Sequence, residues 1–113
     1  TGLISPYKER AIARHEIMIS LESLIKIAAY LLKNKGSFYM LYHPFRLVEL
    51  ISLMKKYQLE PKRMRFIHSR IGEDAKMVLL EAVKGAGQWL NVEYPLFIYD
   101  KKGDYTEEIN KLL

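Results

Sequence analysis

Residues 36–50, with the sequence GSFYMLYHPFRLVEL, place a histidine and an arginine between two apolar segments. The first segment is a short apolar and aromatic run that predicts a buried strand, and apolar residues at helical spacing follow it. Ligands of open α/β sheets bind at the carboxyl ends of strands, where the amides of the next helix also suit an anion. His43 and Arg46 are therefore candidate ligand-binding residues. The alternative is a surface arginine beside a histidine that caps the helix.

A second cluster of ionisable residues, Arg14, His15 and Glu16, comes just before a stripe of apolar residues with helical period. Two interpretations stay open. In the first, the three side chains form a local network of ion pairs at a surface turn. In the second, Arg14 and His15 shape a pocket for a substrate, and the spacing alone does not decide between the two.

The sequence contains none of the common motifs for metal binding, hydrolysis or nucleotide binding. The sequence has no cysteine, which excludes disulfides and thiolate ligands, and its three histidines show no i, i+4 spacing for a metal. No G-x-S-x-G motif and no convincing pair of carboxylates indicate a hydrolase. A Walker loop and a G-x-G-x-x-G turn are also absent, and Gly85 and Gly87 fall in a loop that leads into no predicted helix. The sequence therefore predicts no metal site and no catalytic nucleophile.

The net charge of +5 is concentrated in one part of the 113 residues. Residues 55–76 hold seven Lys or Arg and three Asp or Glu, which is an excess of +4. Such a segment favours a polyanionic partner such as nucleic acid, and the alternative is a solvated basic face that aids solubility. The length predicts a single domain over residues 1–113. No membrane span or secretory signal is visible, so a cytoplasmic location is expected.

Hydrophobic periodicity and end signals predict an α/β chain. A helix begins after Ser20 and ends before Gly36, and Ser37–Tyr42 is a strand buried on both faces, as parallel strands are. A second helix begins at Pro44 and ends near Tyr57. Four shorter elements follow: an antiparallel hairpin of residues 64–68 and 77–83, an edge strand within 96–99 and a helix at 106–113.

Six segments follow one another in this order: Ala13-Arg14-His15-Glu16, Lys35-Gly36-Ser37-Phe38, His43-Pro44-Phe45-Arg46-Leu47, Leu59-Glu60-Pro61-Lys62-Arg63, AKMVLLEAVKGA and PLFIYDKKGDYTEEI. With them the chain resembles, over nearly its whole length, the family of class I methyltransferases similar to the tRNA-valine adenine-N6 methyltransferase. Each motif alone is weak, and their joint order is specific. One departure is Phe45, where a second charged or polar residue is expected.

The resemblance implies that the chain is the C-terminal half of a Rossmann-like methyltransferase domain. In this family a glycine-rich turn binds S-adenosylmethionine and an Asn-Pro-Pro-Tyr motif holds the target amine, and neither occurs in the 113 residues. The expected fold is a partial α/β sheet with one parallel strand, an antiparallel hairpin and two main helices, without the N-terminal cofactor-binding half. The fragment alone is therefore expected to be inactive.

The resemblance also implies a reaction in which the exocyclic nitrogen of an adenine in RNA, above all in tRNA, attacks the sulfonium methyl group. The base leaves its stack to reach the pocket, and no metal is needed. No residue of the chain is assigned a catalytic role. The residues that border the substrate side of the cleft are then Arg14, His15, His43 and Arg46. The candidates for contacts with RNA phosphates are Lys62, Arg63, Arg65 and Arg70.

Two other functions stay open for the sequence. The first is a stand-alone basic α/β module that binds RNA without catalysis, and the weaker one is a small protein-interaction domain whose basic segment only aids solubility. On the methyltransferase interpretation, the sheet has an open edge where the preceding strand of the family belongs. Self-association through that edge is therefore expected, because unpaired strand edges bind other strands.

Overall fold

The computed structural model describes residues 19–113, which form three α-helices, a 3-10 helix and a five-stranded sheet. Within these residues every helix falls short of the length and apolar character that a membrane span requires. The elements are α1 (Leu21–Leu31), β1 (Ser37–Tyr42), the 3-10 helix (Pro44–Arg46), α2 (Leu47–Lys56), β2 (Leu59–His68), β3 (Ala75–Lys84), β4 (Asn91–Val92), β5 (Leu96–Phe97) and α3 (Glu107–Leu112).

Helix α1 is closed at both ends by side chains. The Ser20 hydroxyl accepts a hydrogen bond of 3.0 Å from the backbone N–H of Ser23, which satisfies one of the free amides of the first turn. At the other end, Lys84 Nζ donates to the carbonyl oxygens of Ala29 and Leu32, at 2.6 and 2.9 Å. A cation at free carbonyls stabilises the C-terminal end of a helix. The helix predicted after Ser20 is confirmed.

The second helix begins where the sequence predicts. Pro44 opens the 3-10 helix that runs into α2, and the backbone N–H of Arg46 donates to the carbonyl of His43 at 3.1 Å. Proline fits this position because it has no amide hydrogen to leave unbonded. The His43 side chain makes no hydrogen bond to the start of the helix. His43 therefore occupies the N-cap position considered for it, but caps the helix through its backbone carbonyl and not through its side chain.

The sheet has the strand order β1-β3-β2-β4. Strand β5 also pairs with β2, at Ile67 and His68, further along β2 than the residues that pair with β4. Strand β3 lies between β1 and β2 and is antiparallel to both, with Leu41 opposite Leu79 and Leu79 opposite Arg65. Strands β4 and β5 run parallel to β2. The predicted hairpin and edge strand are confirmed, whereas β4 was not predicted because it has only two residues.

Strand β2 begins five residues earlier than predicted, at Leu59, and contains Pro61. A proline lacks the N–H that a strand needs, so it is tolerated at an irregular position. The register of β2 on β3 shifts between Pro61 and Arg63, which leaves Lys62 as the extra residue of a β-bulge.

Helices α1 and α2 cover one face of the sheet, and the hydrophobic core lies between the two helices and that face. The prediction that β1 is buried on both faces is wrong for residues 19–113: its side chains alternate, and Tyr39 and Leu41 are 55% and 54% exposed. They belong to the face opposite α1 and α2, which we call the open face. The fully buried side chains of the core are Ile25, Leu50, Met54, Leu59, Val78 and Leu80.

Candidate functional site

The corner between β1 and α2 brings His43 and Arg46 to the surface next to aromatic rings. The Arg46 guanidinium carbon lies 5.4 Å from the centroid of the Tyr42 ring. The His43 ring stacks on Phe45, with 5.4 Å between ring centroids and 21° between ring planes. Phe45 itself is 83% exposed, so this pair stands out from the protein. The corner therefore presents a cation and two flat rings to solvent.

Arg46 is also bound by its own helix. Its Nη2 lies 3.0 Å from each carboxylate oxygen of Glu49, and its Nε lies 3.2 Å from one of them. Arg46 near a helix N-terminus opposes the helix dipole, and the Glu49 carboxylate in the first turn compensates for it. About half of each side chain is exposed, at 42% and 50%. The pair is thus accessible to a ligand.

An open concavity of about 610 Å³ lies beside this corner, between the N-terminal parts of α1 and α2. Its lining is mixed: Arg46, Glu49, Ser52, Ser20 and Glu22 are polar, and Ile19, Leu21 and Leu53 are apolar. His43 is not among its lining residues.

Glu22 is fixed in this concavity by residues at the end of α2. Lys56 Nζ and the Tyr57 hydroxyl donate to its carboxylate at 2.5 and 2.6 Å. These hydrogen bonds, that of Lys56 first, lower the pKa of Glu22 below its usual value, and the bond to Glu22 raises the pKa of Tyr57. Glu22 is therefore a carboxylate at neutral pH and is not a candidate general acid.

The four predicted phosphate contacts do not form one cluster. Arg63 and Arg65 share the open face of the sheet near Leu79, whereas Arg70 lies in the loop between β2 and β3. Lys62 Nζ donates to the carbonyls of Gly87 and Gln88 at 2.9 and 2.8 Å. Arg14 and His15 lie outside the described residues.

The three arginines among these four residues all have intramolecular partners. Arg65 makes two hydrogen bonds of 2.7 Å to Glu108, which raise the pKa of Arg65 and lower that of Glu108. Arg70 lies 3.7 Å from Glu73 and 5.3 Å from the centroid of the Tyr99 ring. Arg63 Nε lies 2.9 Å from the Glu81 carboxylate.

Glu81 is a polar centre that the sequence interpretation missed. Its carboxylate accepts hydrogen bonds from the hydroxyls of Tyr39 and Ser37, at 2.8 and 3.0 Å, in addition to its ion pair with Arg63. The Tyr39 hydroxyl contributes most to lowering the pKa of Glu81, and the Tyr39 pKa rises. The available signal was a single glutamate inside the apolar segment AKMVLLEAVKGA.

Metal ligands do not come together in the part of the chain that the structure describes. Residues 19–113 contain no group of three or more His, Asp or Glu side chains that could hold an ion. The corner, the concavity and the open face present polar and aromatic side chains, among them the half-exposed Arg46–Glu49 pair.

Comparison with known proteins identifies a similar fold. No protein-family model matches the chain, and no curated protein matches it. A solved structure described as a predicted O-methyltransferase, protein Atu636 from Agrobacterium tumefaciens, matches with a TM-score of 0.75 and 25% identity. The match covers 81% of this chain and 44% of that one, so the chain spans less than half of its neighbour. The partial methyltransferase-like α/β fold is thereby confirmed.

Proposed function

We propose that this chain is the C-terminal part of an S-adenosylmethionine-dependent methyltransferase that methylates adenine N6 in RNA, above all in tRNA. The sheet carries the proposal. Its order β1-β3-β2, with α1 and α2 on one face, belongs to a fold shared over 81% of the chain with the predicted O-methyltransferase. The adenine and the tRNA rest on the sequence resemblance alone, and the excess of +4 over residues 55–76 agrees with a polyanionic substrate.

The described residues do not fit S-adenosylmethionine by themselves. The turn from β1 into α2 contains Pro44 and Phe45 in place of the glycines that let a backbone approach a cofactor. The proposal therefore assigns the cofactor to a part of the enzyme that precedes this chain. When bound there, it supplies the methyl group of its sulfonium, and no residue of this chain receives a step in that transfer.

On this proposal the corner residues orient the substrate. Arg46, held by Glu49, presents N–H groups beside the concavity, and the ring pair of His43 and Phe45 offers a surface on which a base can stack. Arg14 and His15 join this rim as proposed from the sequence resemblance.

The phosphate contacts are proposed for the same enzyme. Arg63 and Arg70 have side chains that are 53% and 47% exposed, so each can reach a phosphate beside its intramolecular partner. Arg65 is only 25% exposed and is held by Glu108, so its contribution to RNA binding is expected to be smaller. Lys62 can add a contact through the N–H that its two carbonyl partners leave free.

The decisive experiment uses the whole protein that carries this chain. Its coding sequence upstream of Thr1 is expected to encode a glycine-rich turn and an Asn-Pro-Pro-Tyr motif. The protein is incubated with labelled S-adenosylmethionine and unmodified tRNA, and the RNA is digested to nucleosides. We expect N6-methyladenosine as the labelled product. A start codon directly before Thr1, together with RNA binding and no methylation, would instead establish the stand-alone RNA-binding module.

A second candidate is methyl transfer to an oxygen atom, which the description of the Agrobacterium tumefaciens neighbour favours. The same digestion separates the two reactions, because an oxygen-methylated nucleoside differs from N6-methyladenosine in its chromatographic position. Label in a small hydroxyl compound or in protein, with none in RNA, would refute the proposed adenine specificity and keep the methyltransferase. The cytoplasmic location stays a prediction.

A further inference from the structure

Trp89 is the single tryptophan of the chain and is 84% exposed. It has a φ of +94°, in the left-handed region that bulky side chains rarely adopt. The aromatic pairs among residues 19–113 do not include it. A large ring that is held in water on a strained backbone indicates a binding role, because neither the exposure nor the strain stabilises the fold.

Two lysines hold the backbone that leads to this ring. Lys35 Nζ donates to the carbonyl of Gly85 at 2.6 Å, and Lys62 Nζ donates to the carbonyls of Gly87 and Gln88 at 2.9 and 2.8 Å. Residues 85–90, which we call the Trp89 loop, are therefore flanked by two ammonium groups. An ammonium has three N–H donors, so both lysines keep donors for a ligand.

The charges of Lys35 and Lys62 have no carboxylate partner within residues 19–113. Their hydrogen bonds go to neutral carbonyls of the loop that carries Trp89, so neither bond balances the charge of its lysine. Other lysines of the described part of the chain share this feature, but only Lys35 and Lys62 donate to carbonyls of the Trp89 loop. The basic residues that do form ion pairs there are Arg46, Lys55, Lys56, Arg63, Arg65, Arg70 and Lys111.

We propose that the Trp89 loop, together with Lys35 and Lys62, is a binding site for single-stranded RNA. Trp89 stacks on an unpaired base, and the two ammonium groups contact the neighbouring phosphates. An exposed aromatic ring on a loop that two cations contact offers a stacking surface and phosphate partners, which is the combination that binds single strands without regard to sequence. The choice of RNA as the polyanion rests on the proposed function.

The site is distant from the corner that carries Arg46. Lys35 precedes β1 and Arg46 follows it, so the six residues of that strand separate them by about 20 Å. The Trp89 loop therefore binds a segment of the RNA away from the base that is methylated. Its loss is expected to weaken RNA binding without changing the transfer of the methyl group to bound RNA.

The test is a titration of the whole protein into a fluorescein-labelled single-stranded RNA of mixed sequence, followed by fluorescence anisotropy. Trp89→Ala is expected to weaken binding about 5-fold to 100-fold, as the loss of one stacked base does. Tyr30→Ala is the matched control, because Tyr30 is also 84% exposed but lies on α1. RNA is also expected to quench the fluorescence emission of Trp89. The contribution of Trp89 is identified as the part of the emission that is lost in Trp89→Phe.

A second variant separates charge from the geometry of the loop. Lys35→Gln/Lys62→Gln keeps N–H donors for the loop carbonyls and removes both charges. It is expected to reduce the slope of log affinity against log salt concentration by about 1.4, which corresponds to two phosphate contacts on a single strand. Lys26→Gln/Lys111→Gln removes two charges elsewhere and is expected to leave the slope unchanged.

Three results of the binding measurements would overturn the site. The first is an affinity of Trp89→Ala for RNA within 2-fold of the wild type, and the second is tryptophan emission that RNA leaves unchanged. The third is no RNA binding at all, which is the result expected if the loop binds a protein partner. RNA methylation that Trp89→Ala leaves unaffected at limiting RNA also refutes this site and keeps the methyltransferase. Binding that depends on Trp89 without any methylation supports the site and refutes the proposed enzyme.

Discussion

Arg46 lies at the surface where β1 turns into α2, beside the concavity. Its contacts with Glu49 and Tyr42 keep the guanidinium in one position before a ligand arrives. An ion pair that is half exposed contributes little to folding, so we expect Arg46 to matter for ligand binding more than for stability.

Arg46→Ala is predicted to separate function from stability. The free energy of unfolding is expected to fall by less than about 1 kcal/mol, because the pair with Glu49 is exposed. The RNA methylation rate of the whole enzyme at low substrate is expected to fall about 10-fold, equivalent to one hydrogen-bonded charge. Urea unfolding and initial rates measure the two effects. Lys26→Ala on α1 is the control, and an unchanged rate in Arg46→Ala would exclude this rim from substrate binding.

Glu81, on the open face, makes the stability of the fold depend on pH. Its pKa lies below the usual 4.5, first through the hydrogen bond from Tyr39 and then through Ser37 and Arg63. A carboxyl group whose pKa is lower in the folded state stabilises the fold above its unfolded pKa, and this contribution is lost as the pH falls through the folded value. The contribution of Glu81 is therefore complete at pH 7, begins to fall near the usual pKa of 4.5 and is lost as the pH falls through the lower folded value.

Glu81→Gln is predicted to lower the free energy of unfolding at pH 7 by about 1–2 kcal/mol, because hydrogen bonds to a charged acceptor are replaced by bonds to a neutral one. The difference from wild type is expected to shrink as the pH is lowered from 5 to 3. Urea unfolding at several pH values measures it. Glu107→Gln serves as control, since Glu107 has an 87% exposed side chain. A difference that grows at low pH would contradict the proposed hydrogen-bond network.

At the scale of the elements, α2 is held by a narrow buried stripe. Leu50 and Met54 are fully buried against the sheet, whereas Val48 on the same helix is 83% exposed. Leu50→Ala is predicted to destabilise the protein by about 2–5 kcal/mol, because it removes buried methyl groups and leaves a cavity. Val48→Ala is the matched control and is expected to change stability by less than about 0.5 kcal/mol. Thermal unfolding compares them, and similar effects of the two would contradict the assigned core.

The elements that the sequence predicts well are those with local end signals. Ser20 caps α1, and Pro44 opens the turn into α2, so each boundary depends on residues within one helical turn. Strand β1 is likewise predicted with the observed bounds, since it is a short apolar run between Gly36 and Pro44. Such signals need no information about the rest of the fold.

Features that depend on distant residues could not be predicted in this way. The start of β2 was missed because Pro61 looks like a strand breaker until the bulge at Lys62 is known. The ion-pair partners of two predicted phosphate contacts come from other elements: Glu81 on β3 pairs with Arg63, and Glu108 on α3 pairs with Arg65. The sequence shows an excess of basic residues over 55–76, but not which charges are balanced in space.

At the scale of the whole molecule, the described residues form a sheet that is covered on one face and open at β1. Within residues 19–113, β1 pairs with β3 alone, so its other edge exposes unpaired backbone groups. Tyr39, Leu41 and Leu79 lie on the open face and are 40–55% exposed. Unpaired edges and exposed apolar side chains both favour association with another strand. On the proposed function, the natural partner of this edge is the preceding strand of the same enzyme.

The 113-residue chain is therefore predicted to self-associate through β1 when it is separated from that partner. Sedimentation velocity is expected to show a species larger than the monomer that grows with protein concentration. Leu41→Lys is expected to shift the protein towards monomer, because a charge beside the edge disfavours pairing with a second strand. Ile71→Lys, in a loop and 67% exposed, is the control that adds the same charge elsewhere.

The same measurement on the protein with its upstream residues shows whether the edge of β1 normally pairs within one chain or between two subunits. If the preceding strand of the same protein pairs with the edge of β1, that edge is no longer open in the protein with its upstream residues. Leu41→Lys is then expected to leave the oligomeric state of this longer protein unchanged. A 113-residue chain that stays monomeric at every concentration would contradict an open edge. Association of the longer protein that Leu41→Lys abolishes would show that β1 pairs between subunits, and the proposed place of this chain within one methyltransferase domain would then be wrong.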